Sequence, residues 1–319
     1  MKKLLVLAAM SIVLFAATYF SSCKDKKKET IATTDSTAIR VTRGEYLANA
    51  VAYCMDCHSK RDFTKYAGPA VPGSEGGGGL LFNQKFGLPG EIYSRNITPD
   101  SETGIGTWTD DEILRAVTQG ISRNGDTLFP IMPYANFNHM AKEDLLSIIA
   151  YIRTLKPIKN KIPERKLMIP IAMAYPAQAL QPSVDGNVIP PKTDKVQYGH
   201  YLVTLADCGT CHSPLTEHGP DMSRMFAGGY TFDIGSNKVT SANITPDSAT
   251  GIGTWTEERF MNKFTPYREE KNYNFDPGHQ NTIMPLVFLA QMKDEDLKAI
   301  YAYLRTVKPI TNKVEKFPK

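Results

Sequence analysis

Cysteine and tryptophan are scarce in this chain: five Cys and two Trp in 319 residues. Five cysteines cannot staple a disulfide-dense scaffold, and four of them sit in spacings that serve another purpose, so no disulfides are expected. Charge of one sign is lacking as well. Lys and Arg number 37 against 33 Asp and Glu, a net charge of +4. No basic stripe gathers on one stretch, which excludes the electrostatic footprint of a nucleic-acid binder. Apolar residues make up a modest 42%, while Gly (23) and Pro (21) are plentiful. The length suits two domains of ordinary size.

The scarce cysteines are concentrated. Cys54-Met55-Asp56-Cys57-His58 and Cys208-Gly209-Thr210-Cys211-His212 both read C-x-x-C-H, the signature of a covalently attached c-type haem. Two thiols three positions apart can add to the two vinyl groups on one porphyrin edge. The next residue then brings an imidazole to the iron, making His58 and His212 metal ligands. Zinc ribbons also use C-x-x-C pairs, but structural zinc does not require His directly after the second Cys. A thioredoxin-like motif needs a βαβ context, which is absent. Two covalent haems are expected, and a porphyrin in each core accounts for the modest apolar content.

The N-terminus reads as a targeting segment, residues 1–22. Met1-Lys2-Lys3 is a charged start, and an apolar run from Leu4 to Phe20 is broken only by Ser11 and Thr18. Ser21-Ser22-Cys23 then resembles a lipoprotein cleavage site, with Cys23 lipidated and Phe20 where Leu is usual. The run is just long enough to span a bilayer. Lys24-Asp25-Lys26-Lys27-Lys28-Glu29 and the Thr/Ser stretch that follows read as a solvated, flexible tether over residues 23–40. The expected location is the bacterial cell envelope, facing the periplasm and anchored at Cys23. That export route agrees with haem attachment outside the cytoplasm.

Self-similarity organises the remainder. Asn96-Ile97-Thr98-Pro99-Asp100-Ser101 recurs as Asn243-Ile244-Thr245-Pro246-Asp247-Ser248, and Thr103-Gly104-Ile105-Gly106-Thr107-Trp108-Thr109 as Thr250-Gly251-Ile252-Gly253-Thr254-Trp255-Thr256. Tyr151-Ile152-Arg153-Thr154-Leu155-Lys156-Pro157-Ile158 returns as Tyr303-Leu304-Arg305-Thr306-Val307-Lys308-Pro309-Ile310. One haem-binding unit is used twice, over residues 41–160 and 196–319. Each unit is mostly helical. A helix from Gly44 to Tyr53, matched by Tyr198 to Ala206, runs into the first Cys. A second helix starts at the Thr109-Asp110-Asp111-Glu112 capping pattern and ends near Gly120, with its equivalent at Thr256-Glu257-Glu258. A last helix over Lys142 to Leu155 is repeated at Asp294 to Val307. Residues 161–195 carry Pro163, Pro170, Pro176, Pro182, Pro190 and Pro191 without a clear period and read as an extended linker that can wrap over both units.

The iron's sixth position decides between electron carrier and catalyst. Met132-Pro133 lies 74 residues after His58, and Met284-Pro285 lies 72 after His212. Proline holds the preceding Met out of helix, so a loop can direct the thioether inward. Met132 and Met284 are therefore the expected sixth ligands. His139, His200, His218 and His279 lack counterparts in the other unit; His279, five residues before Met284, is the competitor to watch. Asn96, Asn243, Trp108 and Trp255 are candidates for contacts to haem propionates, since indole N–H donors suit partly buried carboxylates. Arg95 could also pair with a propionate, but its counterpart is Ala242, so the two haems are expected to differ in electrostatic surroundings.

With long loops between its helices, each unit resembles a class I cytochrome c. The expected fold class is mainly α: two tandem class I cytochrome c-like domains joined by the Pro-rich extended linker. The C-x-x-C-H motifs, the N-I-T-P-D…T-G-I-G-x-W loop, the Met-Pro element and the closing helix together resemble the multihaem cytochrome c subunit of membrane-bound alcohol, aldehyde and gluconate dehydrogenases, over about residues 42 to 314. Those subunits usually carry three haem domains, whereas this chain has two. The resemblance implies electron transfer from a dehydrogenase subunit through successive haems to quinone or another carrier, with no catalysis on this chain. Redox partners are then a dehydrogenase subunit, a quinol-side donor or a terminal oxidase, with membrane contact through the lipid at Cys23. The alternative is a dihaem peroxidase, which needs an open or displaceable sixth position at one iron. Matching Met-Pro elements argue against such asymmetry.

Overall fold

The computed structural model describes residues 26–177, 180–217 and 219–318. Cys23 and the signal-like run lie outside the described residues, as does His218. The chain divides into an N-terminal unit, residues 1–40, and a compact unit, Val41–Lys319. Helix α1, Lys26–Tyr46, covers most of the segment expected to be a flexible tether. The physical reason is compositional: no Gly or Pro occurs between Lys24 and Arg43, while Lys, Glu, Ala and Arg are good helix formers. No helix among the described residues is long and apolar enough to cross a membrane.

Within residues 41–319 helices dominate, joined by long loops and small antiparallel sheets. The first half holds α2 (Cys54–Cys57), α3 (Asp110–Gln119), α4 (Tyr134–Phe137) and α5 (Lys142–Ile152). The second repeats the series as α6 (Lys195–Leu205), α7 (Cys208–Cys211), α8 (Glu257–Met261), α9 (Leu286–Leu289) and α10 (Asp294–Leu304). The capping pattern read at Thr109 is present in full: Glu112 N–H donates to Thr109 Oγ1, and Thr109 N–H donates to the Glu112 carboxylate at 2.8 Å. Both closing helices stop three residues before the sequence pattern does. Arg153 to Leu155 form a turn instead, ahead of the Lys156-Pro157 pair that disfavours helix.

The first and last helices of each half cross closely, and glycine permits it. A Cβ on Gly44 would lie 1.8 Å from the Ser147 carbonyl oxygen, and one on Gly199 would lie 1.9 Å from that of Ala299. From these glycines to the first cysteine the first half has one residue more, and the extra residue is absorbed as a π turn over Leu47–Val51. The second half runs as ordinary α-helix there.

The halves share one core, in which Leu47, Val51, Met55, Leu145 and Ile148 pack with Leu202, Leu205, Leu297 and Leu304. They also exchange equivalent contacts. Tyr46 donates its hydroxyl to Asp296 Oδ2 at 2.5 Å, and Tyr201, its counterpart, donates to Asp144 Oδ2 at 2.8 Å. Each hydroxyl accepts in turn from a backbone amide, Lys293 N–H at 3.1 Å and Ala141 N–H at 3.2 Å. This reciprocity is that of an isologous dimer interface written into one chain.

The small sheets pair two- to four-residue strands, too short for a periodic signal in sequence. Gly90–Tyr93 pairs with Leu81–Phe82 on one side and with Lys166–Leu167 on the other. The proline-rich segment thus adds a strand to the first half. Beyond it, Tyr175 OH donates to the Gln119 carbonyl at 2.7 Å, and Asn187 Nδ2 donates to the carbonyls of Asn138 and Met140. Lys192 reaches Glu295 of the second half at 2.6 Å.

Candidate haem sites

Each C-x-x-C forms a single helical turn, which sets its two thiols one turn apart. The residue entering that turn is left-handed in both halves, Tyr53 at φ 34° and Asp207 at φ 43°. His58 N–H donates to the Cys54 carbonyl, and His212 N–H to that of Cys208, both at 2.9 Å. The rings are aimed by their other nitrogen. His58 Nδ1 meets the Arg95 carbonyl oxygen at 2.6 Å, and His212 Nδ1 meets that of Ala242 at 2.7 Å. A carbonyl only accepts, so Nδ1 carries the proton and Nε2 keeps its lone pair, as an iron ligand requires. Burial lowers the pKa of both imidazoles, which favours the neutral, ligating form.

Glycine keeps that carbonyl in place. Gly78 N–H donates to the His58 carbonyl and Gly228 N–H to that of His212. A Cβ at Gly78 would stand 2.5 Å from the Arg95 carbonyl oxygen, and one at Gly228 would stand 2.4 Å from the Ala242 carbonyl carbon. The backbone that orients each histidine therefore passes directly over a glycine. The Gly78-Gly79 and Gly228-Gly229 pairs were a readable repeat in sequence, but nothing there linked them to the histidines.

The Met-Pro elements are built alike. Pro133 (φ −79°, ψ 51°) and Pro285 (φ −75°, ψ 53°) each sit at the centre of an inverse γ-turn, with Tyr134 N–H bonded to the Met132 carbonyl at 2.8 Å and Leu286 N–H to that of Met284 at 2.7 Å. The turn keeps each methionine out of the helix that follows. Met132 and Met284, like Cys54 and Cys208, are partly buried and pack against the shared core. Their preceding residues complete two aromatic clusters: Ile131 with Cys57, Phe82, Phe86 and Phe129, and Ile283 with Cys211, Tyr230, Phe232 and again Phe86.

Two expectations need correction. Asn96 and Asn243 are not available to propionates, because their hydrogen-bonding capacity is spent within the fold. Asn96 Nδ2 donates to Thr103 Oγ1 and the Ile158 carbonyl, while Oδ1 accepts from Thr98 N–H and Oγ1. Asn243 does the same with Thr250, Ile310 and Thr245. Each asparagine ties its loop to the chain beyond the last helix. Arg95 serves through its main-chain carbonyl, since its side chain turns outward to Glu164 at 3.8 Å. Trp108 is half-buried and its carbonyl accepts from Arg153; Trp255 is half-buried beneath Arg259 and Lys263.

Of the competing ligands, His279 is exposed and bonded to the Ser236 carbonyl at 2.7 Å, His139 meets Gln181, and His200 lies against the Tyr303 ring. Sequence reasoning passed over Asp56 and Arg61, a buried ion pair beside the first motif whose guanidinium side chain is only 1% exposed. It also passed over Tyr53.

The donor set fits haem and not zinc. Each Cys pair is followed directly by a His whose Nε2 is left free by the Nδ1 hydrogen bond, the arrangement covalent haem attachment needs. The four described cysteines form no disulfide. Against known families, residues 196–308 match the cytochrome c model. This chain contains a cytochrome c domain. The family that residues 196–308 match is one whose members bind haem c covalently. The chain is 29% identical to the gluconate 2-dehydrogenase cytochrome c subunit of Pantoea cypripedii, over 84% of this chain and 59% of that protein. It is 30% identical to the cytochrome c subunit of the quinone alcohol dehydrogenase of Gluconacetobacter polyoxogenes, over 87% and 58%. A diheme cytochrome c-type protein of Cereibacter sphaeroides is 29% identical over 81% of this chain and 82% of that protein. The chain spans less than two thirds of the dehydrogenase subunits it matches.

Proposed function

We propose that this chain is a dihaem cytochrome c that relays electrons, with two tandem cytochrome c-like domains and a proline-rich linker laid across them. The observation that supports this reading is the repetition of one local arrangement. In both halves a histidine held at Nδ1 by a carbonyl accompanies a methionine set in an inverse γ-turn. Cys54, Cys57 and His58 with Met132 would hold one haem, and Cys208, Cys211 and His212 with Met284 the other. Bound haem supplies one-electron redox chemistry, and Met ligation raises its reduction potential. The protein's share is to fix the ligands. Arg95 and Ala242 carbonyls orient the imidazoles, Gly78 and Gly228 let those carbonyls approach, and Pro133 and Pro285 keep the thioethers out of helix.

The matched relatives named as dehydrogenase cytochrome subunits support a dehydrogenase or quinol-side donor and a respiratory acceptor as partners, with chemistry on the fuel left to a separate chain. The N-terminal sequence supports export to the bacterial envelope and a lipid anchor at Cys23 on the periplasmic side. Optical spectroscopy tests the relay reading. The far-red band of Met–iron ligation, quantified per haem, should account for both sites in the oxidised protein. Met132→Ala and Met284→Ala should each lower one potential and leave the other nearly unmoved. One high-spin site with peroxide turnover in the unaltered protein would instead establish the peroxidase alternative.

A further inference from the structure

Tyr53 precedes the first motif cysteine, yet its hydroxyl belongs to the second motif. It donates to the Ala206 carbonyl at 2.9 Å, two positions before Cys208. Its backbone is held at φ 34°, a conformation that a bulky residue keeps only where its surroundings impose it. Asp207 occupies the equivalent position in the second half with the same left-handed backbone, but its carboxylate turns to Thr210 and to Asn136 Nδ2 at 2.6 Å. Asn136 lies in α4, the helix that follows Met132-Pro133. The peptide leading into Cys208 is therefore gripped by two side chains of the first half, one from the cysteine end of its site and one from the methionine end.

The phenol of Tyr53 lies among both motifs. Burial raises its pKa well above the ordinary value, and Asp207 pushes in the same direction, so the hydroxyl stays a protonated donor. On the far side of the pair, Tyr230 OH donates to the Phe86 carbonyl at 2.9 Å, and Phe86 packs in the aromatic clusters of both sites. The two sites are thus adjoining and braced, with Tyr53 the side chain that runs from one motif to the other.

We propose that Tyr53 is the residue that couples the two haem sites, setting their spacing and providing a bonded connection from Cys54 through its ring and one hydrogen bond to the Ala206 carbonyl and on to Cys208. This rests on the electron-relay reading above. With haem held at both sites, an exchange would pass one electron from the reduced site to the oxidised one, with no bond of this chain broken and Tyr53 keeping its proton. The hydroxyl is a positioning and connecting group, not a redox participant.

The test uses the full haem-loaded chain and Tyr53→Phe, which keeps the ring and removes the hydrogen bond. After rapid photochemical injection of one electron, exchange between the two sites should slow about tenfold in Tyr53→Phe, equivalent to about 1.4 kcal/mol of barrier. Haem content and the Met–iron band should be retained. Tyr201→Phe, which also removes a hydroxyl bond between the halves but touches neither motif, should leave the exchange rate unchanged. An unchanged rate in Tyr53→Phe, or equal slowing in Tyr201→Phe, overturns the proposal. In the unaltered oxidised protein, electron paramagnetic resonance should show the two ferric centres interacting; two independent signals would also overturn it. Failure of the parent reading looks different: unaltered protein with one high-spin site and no exchange at all.

Discussion

The halves are related as equivalent partners, yet their two tyrosine–aspartate bonds should not be equal. Removing the Tyr46 hydroxyl strips Asp296 of its close 2.5 Å hydrogen bond. That carboxylate is fully buried; its Oδ1 has no hydrogen bond within the described residues, and the nearest cation, Lys192 Nζ, stands 3.7 Å away. Removing the Tyr201 hydroxyl leaves Asp144 still held by Arg43, whose Nε and Nη2 donate to its two oxygens at 2.9 Å each. A lost hydrogen bond to a charged group costs about 1.5–3 kcal/mol, and a buried carboxylate left short of donors adds to that. Tyr46→Phe should therefore cost about 3 kcal/mol and Tyr201→Phe about 1 kcal/mol. For a unit of this size that is a loss in Tm of about 6–12 °C against about 2–4 °C. Thermal and guanidinium unfolding of the haem-loaded chain, followed by circular dichroism, reads both. Equal losses, or a larger loss in Tyr201→Phe, would refute the claim that Arg43 makes the difference.

Two further outcomes follow from the same geometry. Gly78→Ala places a Cβ 2.5 Å from the Arg95 carbonyl oxygen at φ 68°, so that carbonyl must shift and release His58 Nδ1. The variant should lose Met–iron absorbance at one site of two, and full retention would show that the carbonyl does not control the ligand. Asp100 has its pKa lowered by the Thr103 amide and hydroxyl, and Asp247 by the Thr250 hydroxyl and amide. A depressed folded pKa gives stability that is present above the unfolded value, near pH 4, and lost as pH falls through the folded value. Guanidinium midpoints should fall below pH 4, and Asp100→Asn with Asp247→Asn should flatten part of that slope; an identical slope counts against these turns.

Legibility in the sequence followed the range of the interactions. The capping pattern at Thr109, the last helices and the Met-Pro pairs announce themselves within a few residues, and the repeat doubles each signal. The π turn was legible too, as the one-residue difference between Gly44–Cys54 and Gly199–Cys208, but only on comparing the spacing of the halves. Asn96 misled because a polar residue repeated in both haem-binding units invites a cofactor role. Its partners, Thr98, Thr103 and Ile158, show a loop tether instead. What stayed hidden was the long-range pairing: Tyr53 with Ala206, Tyr46 with Asp296, and Phe86 between the clusters are contacts across more than a hundred positions, for which a single sequence carries no signal.

The reciprocal tyrosine–aspartate contact has a consequence beyond stability. A symmetric homodimer must place the same residue at both of its sites and comes apart on dilution. Here the equivalent surfaces are covalently joined, so no dilution separates them and each side is free to drift. Tyr53 opposite Asp207, Asp56 opposite Thr210 and Arg43 opposite Tyr198 all occupy positions that a true dimer would have forced to match. Fusion is what allows two sites of one design to acquire different electrical surroundings.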